Sequence, residues 1–77
     1  MRKSIEYNNG GSAGFIYADC ITNIFIDDSE NCIYITTTRG GSIYYGAYET
    51  FEQAYKEMKR LNDFICESIV INIKSAT

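Results

Sequence analysis

The sequence predicts an α+β fold: a small antiparallel β-meander of four to five strands packed on one C-terminal α-helix. Three observations carry that expectation. Short runs of β-branched and aromatic residues fill the first part of the chain and are separated by clusters of Gly, Asn and Asp. The connections between these runs are much shorter than the dozen or so residues of a parallel crossover, so consecutive strands are antiparallel neighbours. From Thr50 onward the apolar residues recur at about 3.6 rather than at two, the period of a helix lying on a surface.

Ser4-Ile5-Glu6-Tyr7 alternates briefly and stops at Asn8-Asn9-Gly10-Gly11-Ser12, a loop by composition because Gly and Asn tolerate positive φ. Phe15 to Cys20 alternates next, with Ile16, Ala18 and Cys20 on one side and Phe15, Tyr17 and Asp19 on the other. Thr22 to Asp27 follows, with Ile24 and Ile26 against Phe25, and Asp27-Asp28-Ser29-Glu30-Asn31 makes a hairpin turn. Cys32 to Thr38 is almost wholly β-branched or aromatic and is the strongest strand of the chain. Arg39-Gly40-Gly41-Ser42 forms a second tight turn, and Ile43 to Tyr48 returns as a strand.

Thr50 with Gln53 three residues later reads as a capping box for a helix from about Phe51 to Cys66. Phe51, Ala54, Tyr55, Met58, Leu61 and Ile65 form its apolar stripe; Glu52, Lys56, Lys59, Arg60 and Asp63 take the other side. The tail from Ser68 to Lys74 alternates like a final short strand, yet also reads as one or two further turns of helix. As a strand it must pair on an edge of its own sheet or on a second subunit. Residues 1–77 read as a single domain without linker or repeat.

Seven Lys or Arg against ten Asp or Glu, with no His, give a net charge of −3. An acidic chain is a poor general nucleic-acid binder, because phosphate neutralisation needs a basic surface. No apolar stretch reaches the ~18 residues of a membrane span, and Met1-Arg2-Lys3-Ser4 opens without the apolar run of a secretory leader, so a cytoplasmic location is expected. Cys20, Cys32 and Cys66 are odd in number and widely spaced, which suits reduced thiols better than a disulfide framework or a zinc site. Without His, a nucleophilic Cys lacks its usual base, and the chain carries no nucleophile elbow, carboxylate pair on one element, or metal cluster. The expectation is a non-enzymatic protein that needs no cofactor.

One helix covers one face of a small sheet. If the Ile face meets it, then Phe15, Tyr17, Phe25, Tyr34, Tyr44 and Tyr48 compete for the other, where a solvated sheet normally carries polar residues. Such a face suits an interface between copies, so a homo-oligomer is expected; high strand propensity alone also accounts for the tyrosines.

The candidate ligand site centres on Arg39, Gly40, Gly41 and Ser42. Two glycines let backbone N–H groups converge on an anion, while Arg39 and the Ser42 hydroxyl reach a phosphate. Tyr34, Tyr44 and Tyr45 stand nearby as stacking surfaces, and Arg60 is a second candidate cation. The plain alternative is a hairpin turn whose glycines serve only its backbone angles. The loop of Asn8 to Gly14 presents further amides, either over a ligand or as simple surface.

Ala18-Asp19-x-Ile21-x-x-Ile24, Ile33-Tyr34-Ile35 through Gly41, and Tyr48-Glu49-Thr50-x-x-Gln53-Ala54 together cover about half the chain. In general character this set resembles small meander-plus-helix proteins of low-GC Gram-positive bacteria and their prophages, including phage signal sponges of the Thoeris anti-defence type. Flagellar regulators of the FlbD type share a similar strand-rich start. The sponge resemblance implies a compact oligomer that holds a nucleotide-derived immune signal without cleaving it; no binding residue is carried over from it. The function expected is therefore sequestration of a small anionic, nucleotide-like ligand at an oligomer interface. The alternative is a protein–protein interaction module that blocks a host protein.

Overall fold

In the computed structural model, residues 3–66 are described, and their architecture is α+β. Strands β1 (Ser4–Asn8) and β2 (Ala13–Tyr17) form an antiparallel hairpin. A single 3-10 turn, Ala18–Cys20, leads into β3 (Ile21–Asp27), β4 (Cys32–Thr37) and β5 (Ser42–Ala47), a three-stranded antiparallel sheet in that order. Helix α1 (Phe51–Ile65) follows. The strand expected at Ser68 to Lys74 lies outside the described residues.

Two details differ from the sequence expectation. The run from Phe15 to Cys20 is not one strand, because the ladder closes when the Ala18 N–H donates to the Lys3 carbonyl at 2.9 Å. The chain then swings into the second sheet through the 3-10 turn, where Thr38 N–H donates to the Cys20 carbonyl at 2.8 Å. The meander is thereby split into two sheets, of two and three strands. Tyr48, expected on the open face, instead packs half-buried against the core, just beyond the end of β5.

The turns form for legible reasons. Asp27 Oδ1 accepts from the Ser29 N–H at 3.1 Å and its hydroxyl at 2.8 Å, and Asn31 takes φ 55°, an angle its short polar side chain tolerates. The helix start is capped as the sequence indicates: the Gln53 N–H donates to Thr50 Oγ1 at 3.1 Å. Gln53 Oε1 reaches back to the Glu49 N–H at 3.2 Å, one residue earlier than the usual box.

Ile5, Ile33, Ala54 and Leu61 form the core cluster, one residue or more from the hairpin, the sheet and the helix. Ile33 and Ile35 are fully buried, each such burial stabilising the fold by about 1.5–3 kcal/mol. In β5 the register skips one residue: Tyr34 faces Tyr44, yet Ile33 faces Gly46, leaving Tyr45 as a bulge. Tyr45 and Tyr48 both pack toward the core, and the Tyr48 ring lies over Gly46, where a Cβ would make an ordinary contact with its hydroxyl at 3.6 Å.

Candidate functional site

The Arg39 turn is a hairpin connection first. Gly40 sits at φ 92°, its N–H donates to the Thr37 carbonyl at 2.9 Å, and Thr37 N–H donates to the Gly41 carbonyl at 3.1 Å. The Gly40 donor is therefore spent inside the turn. Arg39 stands exposed at its tip, and among the described residues no carboxylate pairs with it.

Beside the turn, the β1–β2 hairpin and the sheet enclose a groove of about 300 Å³. Arg39, Thr37 and Thr38 line one side; Phe15 and Tyr17, 63% and 43% exposed, line the other. Buried Ile16 and half-buried Ile43 give it an apolar base, and Cys20 completes the lining. Its volume is at the lower end of small-molecule sites, which run from about 300 Å³ upward. A guanidinium, two hydroxyls and two exposed rings over an apolar base suit a ligand with one flat ring and one anionic group.

The hairpin loop is tied down close by. Asn9 Oδ1 accepts from the Gly11 and Ser12 N–H groups at 3.0 and 2.9 Å, while its Nδ2 donates to the Tyr44 carbonyl at 2.6 Å. Gly10 N–H donates to Asn8 Oδ1 at 3.1 Å.

Tyr34 and Tyr44 lie on the sheet face away from the helix. Phe25 stacks on Tyr34 with centroids 5.6 Å apart, and Tyr34 meets Tyr44 at 5.7 Å, so one aromatic row crosses all three strands. Ser42 shares that face, its hydroxyl 3.1 Å from Thr36 Oγ1. Desolvation raises the Tyr44 phenol above its ordinary value, with Cys32, Tyr34 and Glu30 adding to the shift.

Tyr45 and Arg60 belong to a third place. Arg60 holds Glu57 through two hydrogen bonds of 2.8 and 2.6 Å, and the Tyr45 hydroxyl donates to the same carboxylate at 3.1 Å. Arg60 holds the Glu57 carboxyl below its usual value, and burial pushes the Tyr45 phenol up. Burial likewise pushes Tyr48 up to about 12, Glu57 adding to it.

The eight residues singled out from the sequence therefore fall into three groups. Arg39, Gly40, Gly41 and Ser42 share the turn, Tyr34 and Tyr44 share the open face with Ser42, and Tyr45 joins Arg60 on the helix side. The two arginines line different clefts. Sequence reasoning placed Phe15 and Tyr17 on the sheet's second face; the fold sets them beside Arg39 instead. Nothing in their local pattern marks that position, which follows from how the hairpin docks.

A wider groove of about 530 Å³ runs between α1 and β3, with Ile21, Ile24, Tyr55, Met58 and Ile65 in its lining. Among the described residues no cysteine forms a disulfide; Cys32 is buried and Cys20 and Cys66 are half-buried. Among the described residues no group of three or more Cys, Asp or Glu side chains is placed to hold a metal ion, and no helix is long and apolar enough to cross a membrane. No protein-family profile, no curated protein and no solved structure matches this chain.

Proposed function

We propose that this chain is a non-catalytic binding protein that sequesters a small anionic, nucleotide-derived ligand in the Arg39 groove and works as a homo-oligomer, in the manner of a phage signal sponge. The observation that carries the reading is a guanidinium with no carboxylate partner among the described residues, set across an apolar base from two exposed aromatic rings. A nucleotide offers the matching parts: a flat base to stack and a phosphate to meet Arg39. The row of Phe25, Tyr34 and Tyr44 supports self-association, because exposed apolar faces of this kind are uncommon on isolated monomers.

Native mass spectrometry of the protein purified from a bacterial host with nucleotide-based immunity tests both parts. An oligomer carrying extra mass that is released chemically unchanged on denaturation is the expected result. Arg39→Ala should weaken retention by about tenfold to a hundredfold, the loss of one charged hydrogen bond, and leave the oligomer intact. Tyr34→Asp should dissociate the oligomer. A bare chain from such a host, with no retained small molecule, overturns the ligand assignment.

The second reading is a module that blocks a host protein, and the same aromatic row favours it, since tyrosine anchors are frequent at protein interfaces. Stoichiometric capture of one host protein, lost in Tyr34→Asp and kept in Arg39→Ala, would decide for it.

A further inference from the structure

Among the described residues, the lining of the Arg39 groove holds one cation, Arg39 itself, and no carboxylate. Gly40, Gly41 and Ser42 lie outside that lining. The N–H groups of Thr37, Thr38 and Gly40 are engaged by the Gly41, Cys20 and Thr37 carbonyls. Those backbone donors are closed to an anion, so the groove offers the charge of a single guanidinium rather than a phosphate-cradling nest.

The rings set the size of what fits. Phe15 and Tyr17 stand two residues apart on β2, so they leave the same face about 6.6 Å apart along the strand. One flat ring stacked between them, ~3.4 Å from each, fills that gap. The volume of about 300 Å³ is at the lower limit of small-molecule sites and agrees with one base, not two.

Charge is limited by the same residues. Attraction to Arg39 grows in proportion to the ligand's charge, whereas the cost of taking that charge out of water grows as its square. A terminal phosphate carries about −1.5 to −2 at pH 7, more than one guanidinium balances. The surplus also meets repulsion. Glu6 faces Phe15 across the β1–β2 hairpin, on the same side of it, and the whole chain carries −3. A phosphodiester carries one negative charge, and the fork of Arg39 can meet two of its oxygens.

We propose that the groove selects a single nucleotide unit whose phosphate is a diester over one that ends in a free phosphate. The inference rests on the assignment of the Arg39 groove to a nucleotide-like ligand, and adds that ligand's size and charge: one base and one phosphodiester per chain.

Titration calorimetry of the intact chain tests it with a nucleoside 5′-monophosphate, its methyl ester, the parent nucleoside, and the tetranucleotide of the same base without a terminal phosphate. The series is run for adenine, guanine, cytosine and uracil. For the base that binds best, the methyl ester should bind about fivefold or more tighter than the monophosphate, and about tenfold or more tighter than the nucleoside. Arg39→Ala, at an exposed turn, should erase the advantage over the nucleoside. A monophosphate that binds as tightly as its ester overturns the inference and leaves the groove assignment standing, as does a ratio of two nucleotides per chain. A tetranucleotide that binds tightest also overturns it, giving the groove to a nucleic-acid strand. If no probe binds, or if Arg39→Ala changes none of the affinities, the groove assignment itself fails and this inference with it.

Discussion

Burial against the core pushes the Tyr48 phenol up to about 12 from its ordinary 10.0, with the Glu57 carboxylate adding to the shift. The fold therefore holds Tyr48 neutral, whereas the unfolded chain ionises it near 10. Stability contributed by this group is complete below pH 10 and is lost as pH climbs toward about 12. Tyr45, also raised by burial, acts in the same direction. Urea midpoints across that range should fall, and Tyr48→Phe should flatten the fall. Glu57 works at the other end: with its carboxyl lowered by Arg60, its contribution is present above the ordinary 4.5 and is lost as pH drops through the folded value. Arg60→Gln should lower stability at neutral pH and flatten the acid limb of the profile, because the folded and unfolded Glu57 carboxyls then titrate alike. Asn9 is a separate residue-scale case, because one side chain serves three hydrogen bonds. Asn9→Ala should cost about 1–2 kcal/mol in denaturant unfolding, since it strands backbone groups that the loop no longer satisfies.

At the scale of elements, the helix start gives the cleanest test. Thr50→Ala removes the acceptor for the Gln53 N–H and should cost about 1 kcal/mol, read from the same denaturant curves. That cap was legible because its signal is local: two side chains three residues apart. The central strands and their turns were legible for the same reason, through β-branched runs, Asp27 before a hairpin and the Gly-Gly dipeptide. What local pattern does not carry is the bulge at Tyr45. Tyr44 and Tyr45 have the same propensity, and only the skipped register pairs one with Tyr34 while its neighbour reaches Glu57. The candidate site suffered from this more than the fold. Arg39 is at a turn in sequence and in space, but its aromatic neighbours Phe15 and Tyr17 arrive from a different sheet, by docking that no period of two or 3.6 encodes. Arg60 reads as a second candidate cation in the sequence, where nothing marks its i−3 neighbour Glu57 as a two-bond partner.

For the molecule as a whole, Leu61 joins the three units. It lies 2% exposed on the helix and clusters with Ile5 of the hairpin and Ile33 of the sheet. Leu61→Ala should cost about 2–5 kcal/mol, a large share of the roughly 4–12 kcal/mol expected for a chain of this length. Heat should then unfold hairpin and sheet together, giving coincident transitions by circular dichroism and tyrosine absorbance at a much lower temperature. The tied loop at Asn9 has a consequence of another kind, for how the protein ages. In an Asn-Gly pair the glycine nitrogen readily attacks the asparagine side-chain carbon, closing a succinimide and expelling ammonia. Here the Gly10 N–H is engaged by Asn8, and the Asn9 amide is held by Tyr44, Gly11 and Ser12. Ring closure has to break those bonds first, so the intact fold slows its own deamidation, and aspartate or isoaspartate accumulating at position 9 records the time a sample has spent unfolded.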